Sequence, residues 1–411
     1  MQYLLKDDPE LVELIKKEEL RIENTLDLIA AENHAPRSIM ESLGSIFNTK
    51  TIEGYPGKRF HAGCIYADEV EKLALARGKR IFGADHVNVQ PHSGTSANLA
   101  VYFSVLHVGD RILAMSLPHG GHLSHGHKAS ITSKCFRFEH YTLDSETELI
   151  DYNQIEDLAT EFKPRMIVAG ASSYARLIDY KKMAEIAQKV SAYLLVDMAH
   201  IAGLVAAKVI PSPVVHSDFV TFTCYKTMMG GRGGVILSKE EYADRIDSTV
   251  FPGCQGTSPV NLLAAKAVTF KLAMEPGFQD LQKKTLENGT SFAAALSKAG
   301  YRLVSGGTDT HQVLVDLTSK GLNGDVAERK LESVGIILNR NAIHLDAKTP
   351  GRSSGIRIGS GAISARGMGK EEIFRITNLI DRVLCQPEND ALLVQVSKEV
   401  SHLCEEFPVY P

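Results

Sequence analysis

The chain has 411 residues, 44% of them hydrophobic and 23% charged, enough apolar content for a large core divided among two or three domains. A net charge of -4 and a pI near 6.4 leave no basic excess to release counterions from a phosphate backbone, which argues against nucleic acid and for small-molecule chemistry. The amino terminus becomes charged too early for a signal peptide, and the longest apolar stretch, Tyr193 to Ile210, is broken by Asp197, His200 and Lys208. With its 6 cysteines far apart and no CxxC pair, the expectation is a cytoplasmic protein with reduced thiols and no membrane contact.

Residues 8 to 26 place apolar side chains at helical spacing opposite a charged face, with Pro9 where a first turn tolerates it, so they predict an amphipathic arm that packs on the main body or on a partner subunit. Residues 28 to 68 read as loop, yet they are dense in ionisable and aromatic groups: Glu32-Asn33-His34, then Glu53-Gly54-Tyr55-Pro56-Gly57-Lys58-Arg59-Phe60-His61. Loops of that texture carry function more often than packing.

From about 70 to 278, β-rich runs alternate with helical stretches such as Glu69 to Phe82 and Tyr180 to Val190. The runs are His86 to Gln90, Ile112 to Ser116, Met166 to Gly170, Tyr193 to Asp197, Phe219 to Thr223 and Gly234 to Leu237. Their continuous hydrophobicity predicts strands covered on both faces, hence an α/β fold with a mostly parallel sheet whose ligands sit at the carboxyl ends of the strands. Those ends converge chemically. The first runs into Pro91-His92-Ser93-Gly94-Thr95, a small-residue turn opening a helix and suited to a phosphate; others end in His119-Gly120-Gly121-His122-Leu123-Ser124-His125, in Ser172-Ser173-Tyr174, in Asp197-Met198-Ala199-His200 and in Thr223-Cys224-Tyr225-Lys226. A glycine-rich turn with Arg232 follows Lys226 and presents one amine at the mouth of the sheet, where desolvation would let it form a Schiff base with an aldehyde. An amine, an anion, a flat ring and an anion cradle are together what pyridoxal phosphate requires. No metal is expected, since the histidines and Asp197 lack ligand spacing such as HxxxH.

Residues 280 to 411 predict a smaller α+β unit, with helices at Gln279 to Lys298, Gly324 to Val334 and Lys370 to Leu384 and strands at Tyr301 to Val304 and Gln312 to Leu317. Arg357 lies inside a short apolar strand, where a guanidinium is costly without an anion and its fork suits a carboxylate.

Across these features the chain resembles the serine hydroxymethyltransferase family. The likeness runs from about residue 10 to the carboxyl terminus and rests on Leu28-Ile-Ala-Ala-Glu-Asn33, Glu53-Gly-Tyr-Pro-Gly-Lys-Arg59, Asn88-Val-Gln-Pro-His-Ser-Gly94, His119-Gly-Gly-His-Leu-Ser-His-Gly126, Val196-Asp-Met-Ala-His-Ile-Ala-Gly-Leu-Val-Ala206, Lys226-Thr with Gly-Arg-Gly-Gly, Phe251-Pro-Gly-Cys-Gln-Gly256 and Ser354-Gly-Ile-Arg357. It implies fold type I of the pyridoxal-phosphate enzymes: a helical arm at 1–45, a large cofactor domain at 46–278 with a mostly parallel seven-stranded sheet, and a small domain at 279–411. It further implies Lys226 as the cofactor-binding lysine, Asp197 at the pyridine nitrogen, His122 stacked on the ring and His200 near the ring hydroxyl and substrate. Ser93, Gly94 and Thr95 would hold the phosphate, with Ser172 and Thr223 beside the cofactor and the Gly256-Thr257 backbone reaching across a homodimer interface. Arg357 would bind the amino acid's carboxylate, near Thr51 and His61. Glu53, from the neighbouring subunit, would be the acid/base at the hydroxymethyl group, and Phe60, Leu117, Gly121, Leu123 and Asn341 would join Glu53 around tetrahydrofolate.

The sequence departs from the family pattern at Ala31, Thr51, Phe60-His61, Tyr225 and Gly256-Thr257-Ser258, where serine, tyrosine, a tyrosine pair, histidine and Gly-Gly-Pro are usual. Loss of the tyrosine at Thr51 opens volume around the substrate Cα, so an α-methylserine type of substrate is expected alongside serine itself. A folate-independent aldolase or threonine transaldolase is the alternative, favoured by the hydroxyl missing at Phe60.

Overall fold

The computed structural model describes residues 2–343, 346 and 353–410. After a short helix at Gln2–Asp7, helix α1 (Pro9–Glu23) starts where the Asp8 carboxylate accepts the Leu11 N–H at 2.9 Å. Val12 is its buried residue, and the apolar stripe of Leu11, Leu14 and Leu20 stays exposed.

The central sheet has seven strands: β1 (His86–Asn88), β2 (Arg111–Met115), β3 (Arg137–Tyr141), β4 (Met166–Ala169), β5 (Tyr193–Asp197), β6 (Phe219–Thr223) and β7 (Gly234–Ser238), in the order β1-β7-β6-β5-β4-β2-β3. Only β7 runs against the others. Successive residues of each strand feed opposite cores, as the pleat requires. Leu113, Ile167, Val196 and Phe222 pack on one face with Phe270, while Ile112, Val168, Leu195, Phe219 and Ile236 pack on the other. Both faces are therefore apolar, which explains the unbroken hydrophobic runs. The strand that those runs did not reveal is β3, Arg-Phe-Glu-His-Tyr: as an edge strand half open to solvent it alternates charged and apolar residues.

Three helices matter for the site: α2 (Ile65–Phe82), α3 (Gly94–Val105) and α5 (Val260–Ala273), with α4 (Tyr180–Lys189) on the outer layer. Helix α6 (Pro276–Lys298) leads into a second sheet of β8 (Arg302–Leu303), β9 (Gln312–Asp316), β10 (Asn339–Asn341) and β11 (Gly355–Gly359), ordered β8-β9-β11-β10, with α7 (Lys370–Cys385) and α8 (Asp390–Glu406) packed beside it. Its core joins Val313, Val315, Ile356 and Ile358 to Phe292, Ile376, Ile380 and Leu403, and also takes in Leu26 and Leu28. Leu26–Asp27 pairs in parallel with Ile336–Ile337, so the chain leaves α1 through this core before it reaches the large unit. It passes so close to β11 that a Cβ on Gly359 would lie 2.4 Å from the Ala30 Cα.

One buried cation ties the sheet to the turn that opens α3. Lys266 of α5 is fully buried, and its ammonium donates to the carbonyls of Val89 (2.5 Å), Pro91 (3.1 Å) and Gly234 (2.9 Å). Replacing it with methionine leaves those carbonyls without their donor in a dry interior, so Lys266→Met should lower stability by about 3 kcal/mol, read as a shift in the urea midpoint.

Candidate active site

The carboxyl ends of β1, β2, β4, β5 and β6 enclose a cleft with about 500 Å³ of empty space, open to solvent on one side. Ser93, Gly94, Thr95, His122, Ser172, Asp197, His200, Thr223 and Lys226 all line it, together with His125 and Tyr225. A second, larger hollow of about 1080 Å³ lies under α1, between Arg21, Asp27 and Arg232, and shares only Tyr225 with the first.

At one end of the cleft, α3 begins. Ser93 is its N-cap, its hydroxyl accepting the Ser96 N–H at 3.2 Å while its own N–H donates to the Ser96 hydroxyl at 2.8 Å. The first-turn N–H groups of Gly94 and Thr95 have no helical acceptor, which makes the turn an anion cradle. A Cβ on Gly94 would sit 2.8 Å from the Thr223 methyl, so only glycine lets the helix end approach β6 this closely. The Thr223 hydroxyl itself is buried with no hydrogen-bond partner among the described residues. A phosphate in the cradle would satisfy it.

Asp197 ends β5 at the cleft floor. Burial alone would raise its pKa, but the hydrogen bond from His125, the electrostatic pull of the His125 and His122 imidazoles and the amide of Asn98 hold it well below the usual carboxylate range. His125 Nδ1 accepts the His122 N–H at 3.4 Å, which leaves the proton on Nε2 to be donated to Asp197 at 3.2 Å. Asn98 Nδ2 donates to Asp197 at 2.8 Å and to the Ser124 hydroxyl at 2.9 Å, its own oxygen accepting the Thr221 hydroxyl at 2.6 Å. Ser124 in turn donates to His122 Nδ1 at 2.8 Å, also reached by the Ser124 N–H. His122 is thereby fixed in one ring orientation, and burial brings its pKa down to about 4, so it is a neutral flat ring at pH 7. His122, His125 and Asp197 can offer ligand atoms within 4.8 Å of one another, although nothing in their spacing suggested a cluster. The hydrogen bonds just described already engage Asp197, both nitrogens of His125 and Nδ1 of His122.

Lys226 follows β6 and is 7% exposed. Burial lowers its pKa to about 8, with Asp197 opposing the shift and Arg357 adding to it. Thr227 holds the next peptide in place, its hydroxyl donating to the His200 carbonyl at 2.9 Å, while Asn33 donates to the Lys226 carbonyl at 3.2 Å. His200 contacts the Ser172 hydroxyl through Nε2 at 3.4 Å, and burial first, then the nearby cations, keep it neutral. Arg357, in the middle of β11, donates from Nη1 to the Ser172 carbonyl at 2.7 Å and from Nε to Asn339 at 3.1 Å. No carboxylate among the described residues neutralises it, and burial brings its pKa down to about 10. A buried amine, a buried unpaired guanidinium, a dry hydroxyl at a helix end and an ionised carboxylate fit a phosphorylated pyridine aldehyde carrying an amino acid.

The other expected residues lie elsewhere. Thr51, Glu53, Phe60, His61, Gly256 and Thr257 lie on two stretches of chain that meet at Ile52 and Thr257 and do not line the Lys226 cleft of the same chain. There His61 Nε2 is 3.9 Å from the Glu53 carboxylate, Phe60 packs edge-on against Phe251 at 5.7 Å, and the Ile52 N–H donates to the Thr257 hydroxyl at 2.8 Å. Leu117 and Leu123 are exposed on the loop after β2, and Gly121 turns that loop where a Cβ would lie 2.2 Å from the Met115 carbonyl. Asn341 sits on β10, its amide donating to the adjacent Ala342 carbonyl at 2.6 Å. Asn98, Ser124 and Thr221 were not foreseen. Asn98 stands a turn inside α3, and nothing in its local sequence marks it as the bridge between Asp197 and Ser124.

Residues 4–380 match the family model described as serine hydroxymethyltransferase. A serine hydroxymethyltransferase from Dehalococcoides mccartyi (strain CBDB1) is 50% identical over 410 residues, covering 100% of this chain and 99% of that protein. With the strand-end amine, carboxylate and anion cradle in one cleft and the match spanning nearly the whole sequence, the chain belongs to the serine hydroxymethyltransferase family, whose enzymes use pyridoxal phosphate with tetrahydrofolate as co-substrate.

Proposed function

We propose that this enzyme moves the hydroxymethyl group of serine to tetrahydrofolate, and back, with pyridoxal phosphate bound at Lys226. The observation that carries the reading is the convergence of Lys226 and Asp197 on the cleft capped by the first turn of α3, with Arg357, which no carboxylate among the described residues neutralises, bonded to Ser172 of its wall. The half-identical relative carries the same name, which favours folate-linked transfer over the aldolase and transaldolase alternatives.

Bound there, pyridoxal phosphate supplies an electron sink for cleavage of the bond between Cα and Cβ. Ser93, Gly94, Thr95 and Thr223 would hold its phosphate, helped by Ser172 and, across an interface, by the Gly256-Thr257 backbone. Asp197, its own charge locked by His125 and Asn98, would be the anion beside the pyridine nitrogen that favours its protonated form. The neutral ring of His122 would be available to stack on the cofactor without adding a positive charge. His200, neutral and with its carbonyl held by Thr227, would be the hydrogen-bonding group at the ring hydroxyl and substrate. Arg357 binds the amino acid's carboxylate as a fork, with Thr51 and His61 shaping the far side.

Glu53 would move the proton at the hydroxymethyl oxygen. Glu53 does not line the cleft of its own chain, so we infer a homodimer in which Thr51, Glu53, Phe60, His61, Gly256 and Thr257 complete the neighbouring site, with Leu117, Gly121, Leu123 and Asn341 around the folate. The strongly exposed Ile46 (80%), Phe60 (76%), Ile65 (73%) and Tyr66 (76%) on the same stretch of chain support an apolar contact there.

Mixing Lys226→Ala and Glu53→Gln protomers, each inactive alone, should restore about a quarter of wild-type activity, because only the hybrid dimer contains one intact shared site. No recovery on mixing would remove the shared-site reading. Only the neutral amine of Lys226 reacts with an aldehyde, and it is protonated below its pKa of about 8. Uptake of pyridoxal phosphate by cofactor-free protein, followed by absorbance, should therefore rise about tenfold per pH unit below pH 8 and level off above it. Assayed side by side with tetrahydrofolate, L-serine should be turned over faster than α-methylserine; the reverse order would make Thr51 the determinant of a substrate substituted at Cα.

A further inference from the structure

The loop at 255–258 is bound on two sides. On one, Gln255 donates to the Gln90 carbonyl at 2.7 Å and accepts the His92 N–H at 3.3 Å, the Ser258 hydroxyl donates to the same Gln90 carbonyl at 2.9 Å, and His92 Nε2 donates to the Thr257 carbonyl at 3.1 Å. These bonds fasten the loop to the stretch immediately before Ser93, the N-cap of the anion cradle. On the other side, the Ile52 N–H donates to the Thr257 hydroxyl at 2.8 Å. Ile52 is 1% exposed, so water cannot readily take the place of that acceptor.

Ile52 precedes Glu53, and the peptides around Glu53 are held from every direction. Arg59 Nη1 donates to the carbonyls of Ile52 (2.9 Å) and Gly54 (2.5 Å), while Phe60 N–H donates to the Glu53 carbonyl at 3.0 Å. Arg59 is itself neutralised by Asp68 and by the buried Glu71, and Gln90 Nε2 donates to both Gly54 O and Glu71 at 2.9 Å. Gln90 thus touches the Glu53 segment with its side chain and the 255–258 loop with its carbonyl. Thr257 supplies the complementary link from loop to segment.

We propose that Thr257 is a positioning residue for Glu53: its hydroxyl, clipped to the cradle turn through Gln255, Ser258 and His92, sets where the Glu53 backbone stands relative to Ser93. This rests on the assignment of Glu53 as the proton-moving group. In the shared-site dimer it has a consequence. The carboxylate that a subunit lends to its neighbour and the cradle it keeps for itself shift as one body, so order at one site is transmitted to the other.

Thr257→Val keeps the shape and removes the acceptor; Thr257→Ser keeps the acceptor. In the holoenzyme, amide hydrogen exchange across residues 52–54 should accelerate about tenfold in the valine variant and stay at the wild-type rate in the serine variant, with α2 unchanged in both. The kcat for hydroxymethyl transfer should fall about tenfold in the valine variant while KM for serine stays within about twofold, because Arg357 and Lys226 are untouched. Ser258→Ala, which removes one of the two donors to Gln90 O, should give a smaller change in the same readouts and serves where the valine variant does not fold. Wild-type exchange at 52–54 in Thr257→Val, or equal damage in Thr257→Ser, overturns the proposal. A fully active Glu53→Gln enzyme overturns the role of Glu53 instead, and does so whatever the exchange rates show.

Discussion

A single carboxylate has to stay ionised where burial disfavours charge, and much of the site is arranged around that demand. Asp197 ends a strand whose preceding residues are buried on both faces, so its charge depends on donors brought from elsewhere: the Nε2–H of His125 and the amide of Asn98. Asn98 is pinned by Thr221 of the next strand and passes its second amide hydrogen to Ser124, which sets the ring of His122. One hydrogen-bonded chain thus decides the charge of the floor of the cleft and the orientation of the ring above it. Lys226 and Arg357 complete the balance, two buried cations with lowered pKa values against one locked anion. Such a site is short of negative charge, which a phosphorylated cofactor and a substrate carboxylate would supply.

The rest of the large unit keeps that geometry rigid by satisfying main-chain groups with side chains. Lys266 occupies the carbonyls on either side of Gln90, and Gln255 and Ser258 occupy that of Gln90 itself. The stretch from Val89 to Pro91 is therefore saturated before it turns into the anion cradle. Arg59 does the same for the peptides flanking Glu53. Because these donors are charged or buried, their bonds are stronger than solvent-exposed equivalents and costly to leave unmade. The same chain then presents two unlike surfaces, an anion-binding cleft and an exposed segment bearing Glu53, joined through a few residues between positions 52 and 92 and the loop at 255–258.

Much of this was legible in the residues themselves. A parallel sheet places all its carboxyl ends on one edge, so groups read off separately at Ser93, His122, Asp197, His200 and Lys226 had to meet once the strands were recognised. The edge strand Arg137–Tyr141 was not recognised, because half-exposed residues alternate and lose the continuous apolar signal. Asn98, Ser124 and Thr221 escaped for a different reason: Asn98 and Asp197 are 99 residues apart, and a polar side chain inside a helix has the same local signature whether it faces solvent or a carboxylate.

Local chemistry by itself determined the fold class, the lysine, the carboxylate and the cradle, since each depends on a run of residues and on the direction in which a strand ends. Packing alone decided the division of the expected site into two parts, with Ile52, next to Glu53, joined to Thr257 across 205 residues and neither Glu53 nor Thr257 lining the Lys226 cleft of the same chain. Which strand-end groups share a cleft follows from topology, but which hydroxyl reaches which amide depends on ångström-scale distances between elements, and those exist only after the cores on both faces of the sheet have closed.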